Sequence, residues 1–230
     1  MCRELRGDAA GAKTFYLKAA QLKPKEGRAW FLLGWLAERN GRLDEAEQCY
    51  RKRLACAPEE DNTLLNLGNV LTAQGKLPEA LENYQKARTS APKIPDSYIN
   101  ACDVLARLNR FQEADTLIRE AIARLPADIG VRMAAGTLAL QQGHMREAEE
   151  RFTHAAKLSP NSADVFVNLG IAQASGGNPK TALESWARAA TLNPMDPAPH
   201  RLAAKALAVL GQPELAQTEA RKAAELDGVR

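Results

Sequence analysis

The sequence predicts an all-α fold built from repeated helical hairpins, on the grounds of composition and internal repetition. Of its 230 residues, 45% are hydrophobic and 26% are charged, which is typical of a folded globular chain. Ala and Leu are abundant and aromatic residues make up only 5%. Val, Ile and Thr never gather into the alternating runs that strands require, so helices are the expected element throughout.

Four series of residues recur with a step of 34 positions, and such a step identifies a repeat architecture. The proline series is Pro24, Pro58, Pro92, Pro126, Pro160 and Pro194. One alanine series is Ala12, Ala46, Ala80, Ala114, Ala148, Ala182 and Ala216. The second, interrupted by Arg53, is Ala19, Ala87, Ala121, Ala155, Ala189 and Ala223. The glycine series is Gly7, Gly41, Gly75, Asn109, Gly143, Gly177 and Gly211.

Each series has a physical role that orders the elements of one repeat. The glycine position follows a first apolar helix, where a left-handed residue ends the helix, and Asn109 is the accepted substitute. The two alanine series lie at the start and in the middle of a second helix, where larger side chains would hold two packed helices apart. The prolines stop that second helix. We therefore predict a partial repeat over 1–26 and full repeats over 27–60, 61–94, 95–128, 129–162, 163–196 and 197–230.

These residues resemble the tetratricopeptide repeat (TPR) family, over the whole length of the chain. The pattern W-x-x-L-G-x-x-Y, then A-x-x-x-F, then P, is met by Trp30, Leu33, Gly34, Ala46, Tyr50 and Pro58. The resemblance implies a right-handed α-solenoid of stacked helix-turn-helix hairpins, with the first helix of each hairpin on the concave side. Cys102 and Ala204 depart from the pattern at its small glycine, and Ala220 departs from it at an aromatic position. We therefore expect the last hairpin to be weakly packed.

The stretch "AWFLLGWLAERNG", residues 29–41, is apolar on every side of one predicted helix. Such a helix is buried all round or keeps one side for a partner. The repeat register places Trp30, with Leu33 and Gly34, against neighbouring helices, while Phe31 and Trp35 project into the groove. The positions equivalent to Phe31 form an apolar stripe of Leu65, Ile99, Met133 and Val167.

A row of asparagines runs beside that stripe and completes the candidate peptide-binding groove. An amide offers a donor and an acceptor to a peptide backbone. The row comprises Asn66, Asn100 and Asn168, and the candidate groove also includes Asn69 and Asp103. The arrangement is similar to the asparagine ladder that holds extended peptides in the TPR superhelix of O-linked N-acetylglucosamine transferase; the alternative is a generic TPR surface.

The carboxylate clamp of heat-shock co-chaperones is excluded by the missing cations. In this family that clamp uses Lys, Asn, Asn, Lys and Arg on three successive concave helices. The corresponding positions here are Leu65, Asn69, Asn100, Gly130 and Ala134. The chain keeps the asparagine pair without any of the basic residues.

Sequence motifs for catalysis, cofactor binding and metal binding are absent. The four cysteines, Cys2, Cys49, Cys56 and Cys102, form no C-x-x-C pair and lie far from the histidines, so we expect buried free thiols. A net charge of +3 with both signs interspersed argues against nucleic-acid binding, and "YRKR" (50–53) is interpreted as a solvated helix face. No window suits a membrane span or a signal peptide, so a cytoplasmic location is expected.

The function expected from these features is a non-enzymatic scaffold that binds a peptide segment of a protein partner in the concave groove. One alternative is the substrate-recruiting arm of a larger enzyme, such as a glycosyltransferase, with its catalytic domain outside this chain. Another is end-to-end self-association, because neither end shows the polar cap that terminal repeats usually carry.

Overall fold

The computed structural model describes residues 9–228 and is helical throughout, with no strand in that range. It has the all-α helical repeat fold that the sequence predicts. The helices within these residues are α1 Ala9–Leu22, α2 Arg28–Arg39, α3 Leu43–Cys56, α4 Asp61–Ala73, α5 Leu77–Ser90, α6 Pro95–Arg107, α7 Phe111–Arg124, α8 Ile129–Gln141, α9 Met145–Leu158, α10 Ala163–Ser175, α11 Pro179–Leu192, α12 Ala198–Val209 and α13 Pro213–Gly228.

The helices fall into two compact units. The first unit ends at Arg110 and contains α1 to α6, whereas the second begins at Phe111 and contains α7 to α13. The division lies in the turn between α6 and α7, inside the predicted repeat 95–128. Within each unit, consecutive helices pack against each other as antiparallel neighbours joined by short turns.

Left-handed residues end the first helix of each hairpin, which confirms the predicted role of the glycine series. The φ angle is 69° at Gly41, 86° at Gly177 and 57° at Asn109. In the turn after α10, the Gly177 N–H donates to the Ala174 carbonyl (3.1 Å) and the Asn178 N–H donates to the Gln173 carbonyl (2.8 Å). These bonds satisfy carbonyls that the helix end would leave unpaired. Gly7, the first member of the series, lies outside the described residues.

Small residues allow the two helices of a hairpin to approach closely. The series members Ala46, Ala80, Ala114, Ala148 and Ala182 are completely buried. Glycines on the first helix face aromatic rings on the second: a Cβ on Gly34 would lie 2.7 Å from the Tyr50 ring, and one on Gly136 would lie 2.6 Å from the Phe152 ring. Real Cβ atoms do not approach other atoms this closely, so each ring fills the space that the glycine leaves.

The last hairpin, α12–α13, is packed less tightly than the others. Within Pro213–Gly228 the one buried residue is Ala223, and Ala220 is exposed at the position where α11 buries Trp186. Val209 is 84% exposed. Polar contacts join the two helices instead: His200 Nδ1 lies 2.6 Å from Glu219 Oε2, and Arg201 pairs with Asp227 at 3.0 Å. Pairs of this kind contribute little when solvent reaches them.

Replacing Ala148 or Ala182 with Leu should destabilise the protein by about 1 to 3 kcal/mol, because neither site has room for three more carbon atoms. Ala187→Leu is the matched control, since Ala187 is exposed on the same helix as Ala182. Thermal or urea unfolding measures the change. Unchanged stability in both buried-site variants would contradict the close helix contacts described above.

Backbone amides of α13 should exchange with deuterium faster than those of α11. The reason is that α13 buries a single alanine and no aromatic residue, whereas α11 buries Trp186. Weakly packed end repeats open locally more often than the interior of the array. Hydrogen exchange followed by mass spectrometry compares the two helices within one sample. Equal protection of the two helices would show that the polar pairs alone hold α13 in place.

Candidate peptide-binding face

The candidate groove residues of the first unit lie on α2, α4 and α6, and we call this surface the asparagine face. Its members are Phe31, Trp35, Leu65, Asn66, Asn69, Ile99, Asn100 and Asp103. Asp103 is exposed and Leu65 is nearly covered, at 9% exposure, while the other six are half-buried. The apolar stripe is therefore not uniformly accessible, since Leu65 belongs to the core as much as to the surface.

Aromatic side chains form the α2 edge of the asparagine face. The Phe31 ring lies 5.8 Å from the Tyr50 ring, centroid to centroid, and packs against it in a tilted arrangement. The Trp35 ring is half-buried, and the Arg39 guanidinium lies 4.7 Å from its centroid. Trp35 thus keeps part of its ring accessible, and a cation stacked on that ring stabilises its position.

Trp30 differs from its expected place in the core. It is half-buried and packs at the edge of a buried cluster that includes Tyr16, Leu33 and Cys49. The Lys52 ammonium group lies 4.3 Å from its ring centroid. The aliphatic stem and charged head of Lys52 therefore cover a ring that the sequence alone suggests is enclosed by helices.

A hydrogen-bond network joins α4, α5 and α6 beneath the asparagine face. The Asn69 side-chain oxygen accepts from the Tyr84 hydroxyl (2.8 Å) and from the Asn100 amide nitrogen (2.8 Å). The Tyr84 hydroxyl also lies 3.1 Å from the Thr72 hydroxyl. Burial raises the pKa of Tyr84, and the neighbouring Thr72 side chain opposes this increase. The phenol therefore stays protonated and serves as a fixed donor at physiological pH.

A different arrangement occurs one repeat earlier. The Tyr50 hydroxyl donates to the Glu38 carboxylate of α2 (2.7 Å). Burial raises the pKa of Tyr50 above its ordinary value, and the bond to Glu38 raises it further. Trp35, which has no side-chain carbonyl, stands where Asn69 stands one repeat later.

The candidate residues of the second unit are in different environments. Met133 packs against the buried cluster around Phe152 and Leu169. Val167 is half-buried, and its carbonyl accepts from the Trp186 indole N–H (3.1 Å). The Asn168 amide donates to the Asp164 carbonyl of its own helix (2.8 Å). Asn168 therefore bonds its own helix, whereas Asn100 bonds Asn69 of α4.

The sequence distinguishes these positions by a signal that the sequence analysis did not use. The Asn100 amide bonds Asn69, which stands 31 positions before it. At the same spacing Thr137 precedes Asn168 and Trp35 precedes Asn66. Neither has a side-chain carbonyl that could accept this bond, so it forms at Asn100.

The expectation of buried thiols is confirmed at two cysteines and wrong at a third. Cys49 and Cys102 are buried, but Cys56 is exposed at the end of α3, with its sulfur 3.3 Å from the Pro24 carbonyl oxygen. Cys2 lies outside the described residues. Two cations of "YRKR" contact separate partners. Arg51 forms ion pairs with Glu47 and Glu79, and the Lys52 ammonium group lies over the Trp30 ring.

Among residues 9–228, no cluster of three or more His, Cys, Asp or Glu side chains could hold a metal ion. None of the helices in this part of the chain combines the length and apolarity required to cross a membrane.

Solved structures with the same fold match nearly the whole chain. A TPR protein from Parabacteroides merdae has 18% identity and a TM-score of 0.78, covering 97% of this chain and 89% of that one. The PilF protein of Pseudomonas aeruginosa has 19% identity and a TM-score of 0.67, covering 89% and 97%. YrrB, described as a TPR protein with an unusual peptide-binding site, has 24% identity and a TM-score of 0.58, covering 83% and 96%.

These structural similarities show the fold alone. The family is shown by the match of the sequence to family models. No curated protein matches the chain. The tetratricopeptide repeat model matches residues 6–61, 65–129 and 133–198, and a second tetratricopeptide repeat model matches residues 197–222. The matches cover far more than half of the chain, which therefore belongs to the tetratricopeptide repeat family.

Proposed function

We propose that the first unit is a protein-interaction module whose asparagine face binds a peptide segment of a partner protein. The observation that carries this proposal is the half-buried Trp35 on the same face as the Asn69 and Asn100 amides, whose positions are fixed by hydrogen bonds between helices. A partly exposed aromatic residue is the usual energetic centre of a protein interface. The amides supply the polar contacts that orient a bound chain.

The chemistry of the face favours a peptide over a small charged ligand. The face carries both signs of charge, because Asp103 pairs loosely with Arg107 at 3.8 Å and Arg39 lies over Trp35. An extended peptide presents alternating donors and acceptors along its backbone, which a row of side-chain amides can satisfy. The reported peptide-binding site of YrrB supports this choice of ligand, as does the similarity to the asparagine ladder of O-linked N-acetylglucosamine transferase.

Trp35→Ala should weaken peptide binding by roughly 30-fold or more, as expected for the loss of an aromatic anchor worth about 2 kcal/mol. Peptides would first be selected from a random 12-residue library displayed against the wild-type protein. Their affinities for wild type and variants would then be measured by fluorescence polarisation. Asn66→Ala combined with Asn100→Ala should also weaken binding, since unpaired backbone groups are costly.

Phe15→Ala provides the matched control for Trp35→Ala. Phe15 is an aromatic residue on α1, 65% exposed, and outside the three helices of the asparagine face. We expect its removal to leave both affinity and stability unchanged. If Phe15→Ala and Trp35→Ala had equal effects, or if the selected peptides bound the Trp35 variant as well as wild type, the proposed binding face would be wrong.

A further inference from the structure

A cavity of about 370 Å³ lies among α11, α12 and α13 in the second unit. Four of the residues that line it are buried, namely Trp186, Pro199, Ala203 and Leu207. Leu215 lines it from α13 and is 55% exposed, so the cavity opens to solvent beside that helix. A largely apolar cavity of this size is typical of a site for a small molecule.

Small side chains leave this space open. Ala187 and Ala190 of α11 and Ala203 of α12 line the cavity. One repeat before Ala203 stands Leu169, which packs with Phe152 in a buried cluster. A leucine at position 203 is therefore compatible with the repeat register, and its side chain would occupy part of the cavity.

Three connected polar side chains, His200, Glu219 and Lys222, complete the lining. Both oxygens of the Glu219 carboxylate are engaged, because Oε2 lies 2.6 Å from His200 Nδ1 and Oε1 accepts from Lys222 Nζ at 2.7 Å. Burial raises the pKa of Glu219, but the bonds from Lys222 and His200 outweigh burial and hold this pKa below its ordinary value. An ammonium group has three hydrogens, so Lys222 keeps two donors for a ligand.

We infer that this cavity binds a small apolar carboxylate, with its hydrocarbon part against Trp186 and Leu207 and its carboxylate on Lys222 Nζ. Burial of the hydrocarbon part in the apolar lining supplies the main driving force. The acidic group of the cluster already has two partners, whereas the ammonium group has donors to spare, so an acceptor fits better than a donor. Among acceptors, a carboxylate forms the stronger, charge-assisted bond with an ammonium group.

The inference is tested first with octanoate and three NMR resonances. Titration with octanoate should shift the indole N–H resonance of Trp186, because this ring lines the cavity. The resonances of Trp30 and Trp35 should stay in place, since both residues lie on α2 in the first unit. Octan-1-ol has the same hydrocarbon chain without the charge and should bind about fivefold more weakly. Octylammonium, which brings a cation toward Lys222, should bind more weakly still.

Two substitutions fill the cavity. Ala203→Leu should reduce the affinity for octanoate about tenfold or more, because the added carbons occupy space that the ligand needs. Ala187→Leu should act in the same direction from an exposed position of the lining, where the fold tolerates a larger side chain. Ala208→Leu is the matched control, since Ala208 is exposed on α12 outside the cavity. Thermal unfolding of each variant verifies that the fold is retained.

A third substitution removes the ammonium group. Lys222→Met should weaken octanoate about fivefold and leave the affinity for octan-1-ol unchanged, because the alcohol lacks the charge that the ammonium group pairs with. Lys205→Met is the matched control, since Lys205 is an exposed lysine of α12 outside the cavity. It should change neither affinity.

The possible outcomes are distinct. Octan-1-ol that binds as tightly as octanoate, or octanoate that binds Lys222→Met as tightly as wild type, would overturn the choice of a carboxylate. An unchanged Trp186 resonance, or full affinity in both cavity-filling variants, would overturn the site itself. Sedimentation of the free protein tests another occupant: a dimer that Ala203→Leu dissociates would show that a second copy fills the cavity, and would overturn the inference.

Discussion

Contact between a glycine backbone and an aromatic ring sets the spacing of the helices in four hairpins. Gly34, Gly68, Gly136 and Gly170 each lie so close to a ring on the second helix that a Cβ would overlap it. The large ring and the missing side chain are complementary, so the two helices approach closely while the space between them stays filled. The same four hairpins each bury an alanine of the second helix completely, namely Ala46, Ala80, Ala148 and Ala182.

The ring that packs a hairpin also determines which polar bonds join its two helices. Where the ring is tyrosine, its hydroxyl donates to a side chain on the first helix of the same hairpin, from Tyr50 to Glu38 and from Tyr84 to Asn69. Where it is phenylalanine or tryptophan, this bond is missing: the Trp186 indole instead donates to the Val167 carbonyl of the helix it faces. Packing therefore restricts the aromatic position to large rings, and the choice among those rings changes surface chemistry at little expense to the core.

The fold could be predicted from the sequence because the repeat makes each local signal appear several times. The left-handed turns followed from the glycine series, including the exception at Asn109. The loose packing of α13 was foreseen from Ala220. Each of these features depends on residues close together in the sequence and on helix geometry.

The candidate site was harder to predict because its properties depend on side chains that reach between helices. The register placed Asn168 with Asn66 and Asn100, but Asn100 bonds Asn69 of another helix, and Thr137 stands at the equivalent position before Asn168. Trp30 was expected inside the core, but it is half-buried, and the Lys52 ammonium group on another helix lies over its ring. Cys56 was expected to be buried, yet it lies at a helix end where packing is incomplete.

The hydrogen bond from Asn100 to Asn69 joins the first helices of two successive hairpins, so the unit of surface chemistry is larger than the unit of folding. A folding repeat consists of a first helix and the second helix that follows it, whereas the polar groups of this pair depend on two repeats together. Duplication or exchange of a single hairpin would conserve the packing of glycine against ring but would separate Asn100 from Asn69. Recombination that preserves the pair must therefore move α4, α5 and α6 as one segment.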